Sequence, residues 1–120
     1  MLLPGDAEKQ AEYAMLSETA AEKLHADVLK VGHHGSKNST MPEFLKSVGP
    51  EIAIISAGEQ NPYGHPSAEV LERLRGSGAR ILRTDEEGAV RVVTDGNGIR
   101  VSCFVGCGEE EDRRRITQRR

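Results

Sequence analysis

Asp27-Val28-Leu29-Lys30-Val31-Gly32-His33-His34-Gly35-Ser36 (DVLKVGHHGS) is the stretch that decides the fold. Its first half is short and β-branched, which suits a strand over 27–31. Its second half, glycine and polar residues, suits a loop over 32–36. In α/β proteins, ligand-binding loops lie beyond the carboxyl ends of strands, and a strand running straight into a glycine-flanked His-His pair has that character. Working outward, 52–56 (IAIIS) is an apolar run of strand length without polar alternation, as expected for a strand buried on both faces. A helix is predicted over 7–24, where Ala11, Ala14, Met15, Ala20 and Leu24 recur at helical spacing and Asp6 serves as N-cap. A second covers 42–48, with Ser39 or Thr40 near its start and Gly49-Pro50 stopping it. A third covers 67–75, with Val70, Leu71 and Leu74 on one face and Gly76 or Gly78 at its end. Residues 80–83, 89–93 and 99–105 read as three further strands. Glu87-Gly88 and Asp95-Gly96 suit hairpin turns, and Leu2-Leu3 reads as the end of a strand. The order β, α, β, α, β, α, β, β, β predicts a layered α/β fold with a mixed sheet and flanking helices.

The composition fits one small domain: 120 residues, 37% hydrophobic and 29% charged. Two Phe, two Tyr and no Trp weigh against a base-stacking nucleic-acid module. Residues 109–120 hold four acids and five arginines, which leaves the rest of the chain near −4 against a total of −3. A body of that sign does not by itself attract a phosphate backbone. The division expected is 1–105 as the folded part and 106–120 as a charged, disordered tail. No apolar run reaches the ~18 residues a membrane span needs, and Met1-Leu2-Leu3, followed at once by Pro4-Gly5-Asp6, does not read as a signal peptide. Cys103 and Cys107 favour free thiols over a loop-closing disulfide, which would need an oxidising compartment.

Four polar sites lie at strand ends or in glycine-rich loops. Asp6 follows an apolar strand end and precedes a helix, a place suited to holding a cation, although a helix cap explains it more simply. His33 and His34 sit between glycines, which permit sharp turns and close ligand approach, and imidazole is a common metal ligand. An exposed polar turn accounts for a lone His-His pair equally well. His65 lies in the rigid stretch Asn61-Pro62-Tyr63-Gly64-His65-Pro66, where it could orient a substrate or a ligand. An ordinary helix start at Pro66-Ser67 is the simpler account. Arg83-Thr84-Asp85 ends a strand, and a hairpin turn explains it.

Taken together, LLPGDA, DVLKVGHHGS, EIAIISAG, NPYGHP and EVLERLRGSGARILRTDEEGAV, in this order and spacing over residues 2–94, resemble the C-terminal half of the metallo-β-lactamase-like domain of ComEC-type DNA-uptake (competence) proteins and related stand-alone hydrolases. That resemblance implies half of a metallo-β-lactamase-type αββα sandwich with its metal site at one edge. It implies hydrolysis of a phosphodiester, the DNA strand degraded during uptake, aided by divalent zinc or manganese. By the same resemblance Asp6 matches the aspartate bridging two ions, and His34 or His33 matches the late histidine ligand. His34 is favoured as that ligand, with His33 either behind the ligands, supporting them, or facing substrate. His65 matches a histidine near the site, and His33, His65, Ser36 or Lys37 could contact phosphate. The superfamily's His-x-His-x-Asp-His cluster is absent: the histidines are His25, His33, His34 and His65, and His25 matches nothing. The remaining ligands are therefore expected from an N-terminal half or a second chain, and the isolated chain is expected to be inactive. An uncovered sheet edge predicts self-association. The location implied is cytoplasmic for a stand-alone protein and membrane-attached for part of a ComEC-type one. The rival expectation is a non-catalytic α/β remnant or interaction domain that binds no metal tightly.

Overall fold

The computed structural model describes residues 1–19, 21–58 and 64–105. The expected tail over 106–120, with Cys107, and residues 59–63, which include the first half of the 61–66 stretch, lie outside the described residues. The element order is α1 (Lys9–Glu18), α2 (Ala21–Leu24), β1 (Val28–Lys30), α3 (Pro42–Val48), β2 (Ile52–Ile55), α4 (Ala68–Ser77), β3 (Arg80–Arg83), α5 (Thr84–Glu87), β4 (Val90–Thr94) and β5 (Ile99–Cys103).

β1, β2 and β3 form a parallel sheet in that order, with Val28 opposite Ile52 and Ile54 opposite Leu82. Leu2 extends the sheet by one parallel bridge to Leu29, its N–H donating to the Val28 carbonyl at 2.9 Å. The strand end expected at Leu2 is thus present as a single rung. β4 and β5 form a separate antiparallel pair. Parallel and antiparallel pairing therefore both occur, in two sheets with helices beside them.

Alternation along the strands sorts the core into two layers. Leu29, Val31, Ala53 and Ile55 face Phe44, Leu45 and Val48 of α3 and Val70 and Leu74 of α4. Val28, Ile52, Ile54 and Leu82 face Ile99 and Val101 of the β4–β5 hairpin. The sheet is thus covered by helices on one side and a hairpin on the other, and β2 is buried along its whole length as its unbroken apolar run predicts. Gly49 (φ 55°) and Gly78 (φ 85°) end α3 and α4 in the left-handed conformation that glycine adopts without steric cost.

Several expectations are corrected. The single helix over 7–24 is two, because Thr19 turns extended after Glu18. Its buried face is Glu12 rather than Ala11 or Ala14, which are exposed. Asp6 does not cap α1; Glu8 stands at the N-cap and makes no side-chain cap bond. α3 begins at Pro42 with Met41 at its N-cap and no side-chain cap bond, and Ser39 and Thr40 lie just before its start. The carboxylate of Glu12, on α1, accepts from the N–H groups of Thr40 (2.5 Å) and Met41 (2.8 Å), which lead into that start. Glu87-Gly88 is not a hairpin turn, since 84–87 coil into α5 and β3 does not pair with β4. Cys103 is disulfide-bonded, not a free thiol; a preference drawn from compartment alone carries no information about local geometry. No helix among the described residues is long and apolar enough to cross a membrane.

Candidate functional site

Three loops gather beyond the carboxyl ends of β1 and β2. Gly32–Gly35 is a tight turn after β1, in which His33 (φ 49°, ψ 44°) and His34 (φ 55°, ψ 24°) both take the left-handed conformation. Such a conformation is uncommon outside glycine, and two in succession need support from the surroundings. The support comes from both sides. The His33 N–H donates to the Gly5 carbonyl at 2.8 Å. Gly32 packs so closely on the 4–7 loop that a β-carbon there would meet the Ala7 oxygen at 3.2 Å. On the other side, Ser67 N–H donates to the Gly35 carbonyl at 2.9 Å and Gly35 rests directly on Pro66. The His65–Pro66 peptide is cis, and the His65 ring meets the His33 ring edge-on with centroids 5.8 Å apart.

The side chains are anchored as closely as the backbone. His33 Nδ1 lies 2.7 Å from Glu8 Oε2, and His34 Nδ1 lies 2.7 Å from the Ser56 carbonyl oxygen. A carboxylate and a carbonyl only accept, so Nδ1 carries the proton in both rings and Nε2 is left as the basic atom. Metal-binding histidines are commonly held this way, the second ring nitrogen donating to a carboxylate or a backbone carbonyl. Ser56 is itself steadied by its neighbour: Ala57 exchanges two bonds with Thr84 Oγ1, donating at 2.9 Å and accepting at 3.0 Å. Behind the histidines, Ser39 Oγ donates to the Ala7 carbonyl at 2.6 Å and Lys9 N–H to the Asn38 carbonyl at 2.8 Å. The 4–9 and 33–41 segments are therefore stitched together along their length.

Of the residues singled out from sequence, Asp6 lies exposed on the turn between Gly5 and α1, one residue from the carbonyl that holds His33. His33 and His65 are in ring contact, and His34 is exposed on the side of Ser56. Ser36 is buried, with its Oγ accepting from the Asn38 N–H, so it serves the turn, while Lys37 is exposed. Arg83 and Asp85 pair with each other at 2.8 Å. His25 is about half exposed, 3.7 Å from Asp27, at the opposite end of β1. Two imidazoles and a carboxylate are the donor types that zinc or manganese takes. Among the described residues, however, no group of three or more His, Cys, Asp or Glu side chains is arranged to hold a metal ion. The donor types suit a metal; the described residues do not complete a site. Glu8 was not singled out from sequence, because its partner is 25 positions away and a first-turn glutamate is ordinary in a helix.

No family model matches the chain, and no solved structure matches it. The chain is 47% identical over 90 residues to the ComE operon protein 3 of Bacillus subtilis, covering 75% of this chain and 11% of that protein. It is 36% identical over 100 residues to the competence protein ComA of Neisseria gonorrhoeae, covering 83% and 14%. It is 44% identical over 92 residues to recombination protein 2 of Haemophilus influenzae, covering 77% and 11%. The similarity to ComEC-type competence proteins thus holds over most of this chain, which spans only 11–14% of the length of these relatives.

Proposed function

We propose that this chain is one half of a metal-dependent phosphodiester hydrolase site that acts on DNA in uptake. The observation that carries the proposal is the gathering of the Asp6 loop, the His33-His34 turn and His65 at one edge of the parallel sheet, with both paired histidines anchored through Nδ1. Names among the relatives support the biological setting, competence and the comE operon. The chemistry is read from the residues. Asp6, His34 and His33 are this chain's share of the ligands, with zinc or manganese as the ion and a metallo-β-lactamase-type half-sandwich as the frame. Divalent ions at such a site supply Lewis acidity and a nucleophilic water. His65, beside His33, and Lys37, on the exposed side of the turn, would contact the phosphate. The remaining ligands come from a preceding segment or from a second copy.

The second reading for the chain in isolation is an α/β module that binds a partner and no metal. Elemental analysis separates the two. The chain alone should carry fewer than two ions per molecule and show no phosphodiesterase turnover, whereas a longer protein that restores the preceding segment should carry metal and cleave. A metal-free, inactive longer protein overturns the hydrolase proposal.

A further inference from the structure

We infer that Glu8 is a positioning residue for His33, fixing the ring as its Nδ1–H tautomer and, together with the Gly5 carbonyl, holding it against the 5–8 loop that carries Asp6. The inference deepens the proposal above and rests on it for placing His33 at the site. Three observations carry it. Glu8 occupies the N-cap of α1, where a side chain ordinarily accepts from the first free helical N–H groups, and it makes no such bond. Its carboxylate instead meets His33 Nδ1 at 2.7 Å, a charge-assisted distance, across 25 positions of sequence.

The second observation is the strain at His33. Its left-handed backbone (φ 49°) is uncommon for a residue with a side chain, and it is held by two bonds from one loop, Gly5 O to the main chain and Glu8 Oε2 to the ring. The third is where those two bonds originate. Gly5 and Glu8 flank Asp6 in sequence, so the loop that presents Asp6 is the same loop that grips His33 at both ends. The segment that carries Asp6 is thus bonded to His33, although the two are 27 positions apart in the chain. Glu8 touches His33 and acts through it.

The consequence is readable without turnover. In the intact 120-residue chain, long-range 1H–15N correlation spectra taken with the ring neutral report which ring nitrogen of His33 carries the proton. Wild type should show Nδ1–H with a bare Nε2. Glu8→Ala should shift His33 toward the Nε2–H form, while the His34 signals, set by Ser56, stay unchanged. Glu8→Gln should restore the wild-type pattern, because its amide oxygen accepts from Nδ1–H. An Nε2–H tautomer in wild type, or no change in Glu8→Ala, overturns the inference. If Glu8→Ala does not fold, the wild-type tautomer and the Glu8→Gln pattern decide it alone, a departure of either from Nδ1–H counting against it. Failure of the hydrolase proposal is a separate result, namely absence of cleavage with the tautomer pattern intact.

Discussion

Gly35 lies against Pro66 with no room for a side chain: a β-carbon at 35 would stand 2.6 Å from Pro66 Cβ and 2.8 Å from its Cα. Those atoms belong to a ring and a backbone, which cannot swing aside. Gly35 also sits at φ 85°, where a side chain is strained whatever the space. The turn that carries His33 and His34 and the loop that carries His65 are thereby set against each other. Gly35→Ala should destabilise the fold by about 1–3 kcal/mol, the usual size of a backbone-strain or overpacking effect. Denaturant unfolding measures the loss, and the 5.8 Å contact between His33 and His65 should loosen with it. A variant as stable as wild type contradicts this account of the turn.

Thr84 holds the other side of the site. Its hydroxyl both accepts from and donates to Ala57, the neighbour of the Ser56 carbonyl that anchors His34. Thr84→Val keeps the shape and removes both bonds, so a stability loss of about 1–3 kcal/mol is expected. The His34 Nδ1–H signal should broaden or shift, while that of His33 should not. Equal effects on the two rings would show that Thr84 does not act locally.

Glu12 gives the stability of the protein a pH dependence of unusual sign for a carboxylate. Burial pushes its carboxyl above the ordinary value of 4.5, and the Met41 and Thr40 amides and Arg73 pull it only partly back. The folded state therefore holds the proton more tightly than the unfolded one. The contribution is fully present below the ordinary value and is lost as pH rises through the raised one. Glu12→Gln, with one oxygen for two amide donors, should be less stable overall and should lack this component. Stability curves against pH for the two proteins should converge as pH rises through the raised value, and parallel curves would refute the assignment.

Asp85 works in the opposite direction. The hydrogen bond from Arg83 holds its carboxyl below the ordinary 3.8, so its contribution is present above that value and is lost as pH falls through the depressed one. Asp85→Asn should remove an acid-side loss of stability and change nothing near neutrality that depends on pH. An unchanged acid limb in the variant would contradict the pairing.

Much of the scaffold was legible in sequence, for physical reasons. β2 announced itself because an unbroken IAII run has no polar side to show solvent, the end of α3 was marked by Gly49, and of the two glycines offered for the end of α4, Gly78 caps it while Gly76 lies inside the helix. Asp6, His33 and His65 could be singled out because each follows a strand or a glycine. What could not be read was pairing across sequence. Glu12 looks like a solvated position until the 40–41 amides fold over it, and Glu8 looks like a first-turn acid until His33 reaches it. Nor did the local residue pattern mark the extended Thr19 that breaks the first helix, or the short helix over 84–87.

The central claim is that Asp6 and His34 belong to one hydrolytic site, and the most direct measurement is metal-dependent cleavage of a phosphodiester by a longer protein that includes the preceding segment. Asp6→Ala and His34→Ala should each lose cleavage and bound metal; the thermal unfolding midpoint should stay close to wild type in Asp6→Ala, whose side chain is exposed, and fall modestly in His34→Ala, which removes the bond to the Ser56 carbonyl. Turnover and metal content unchanged in both variants would contradict the account.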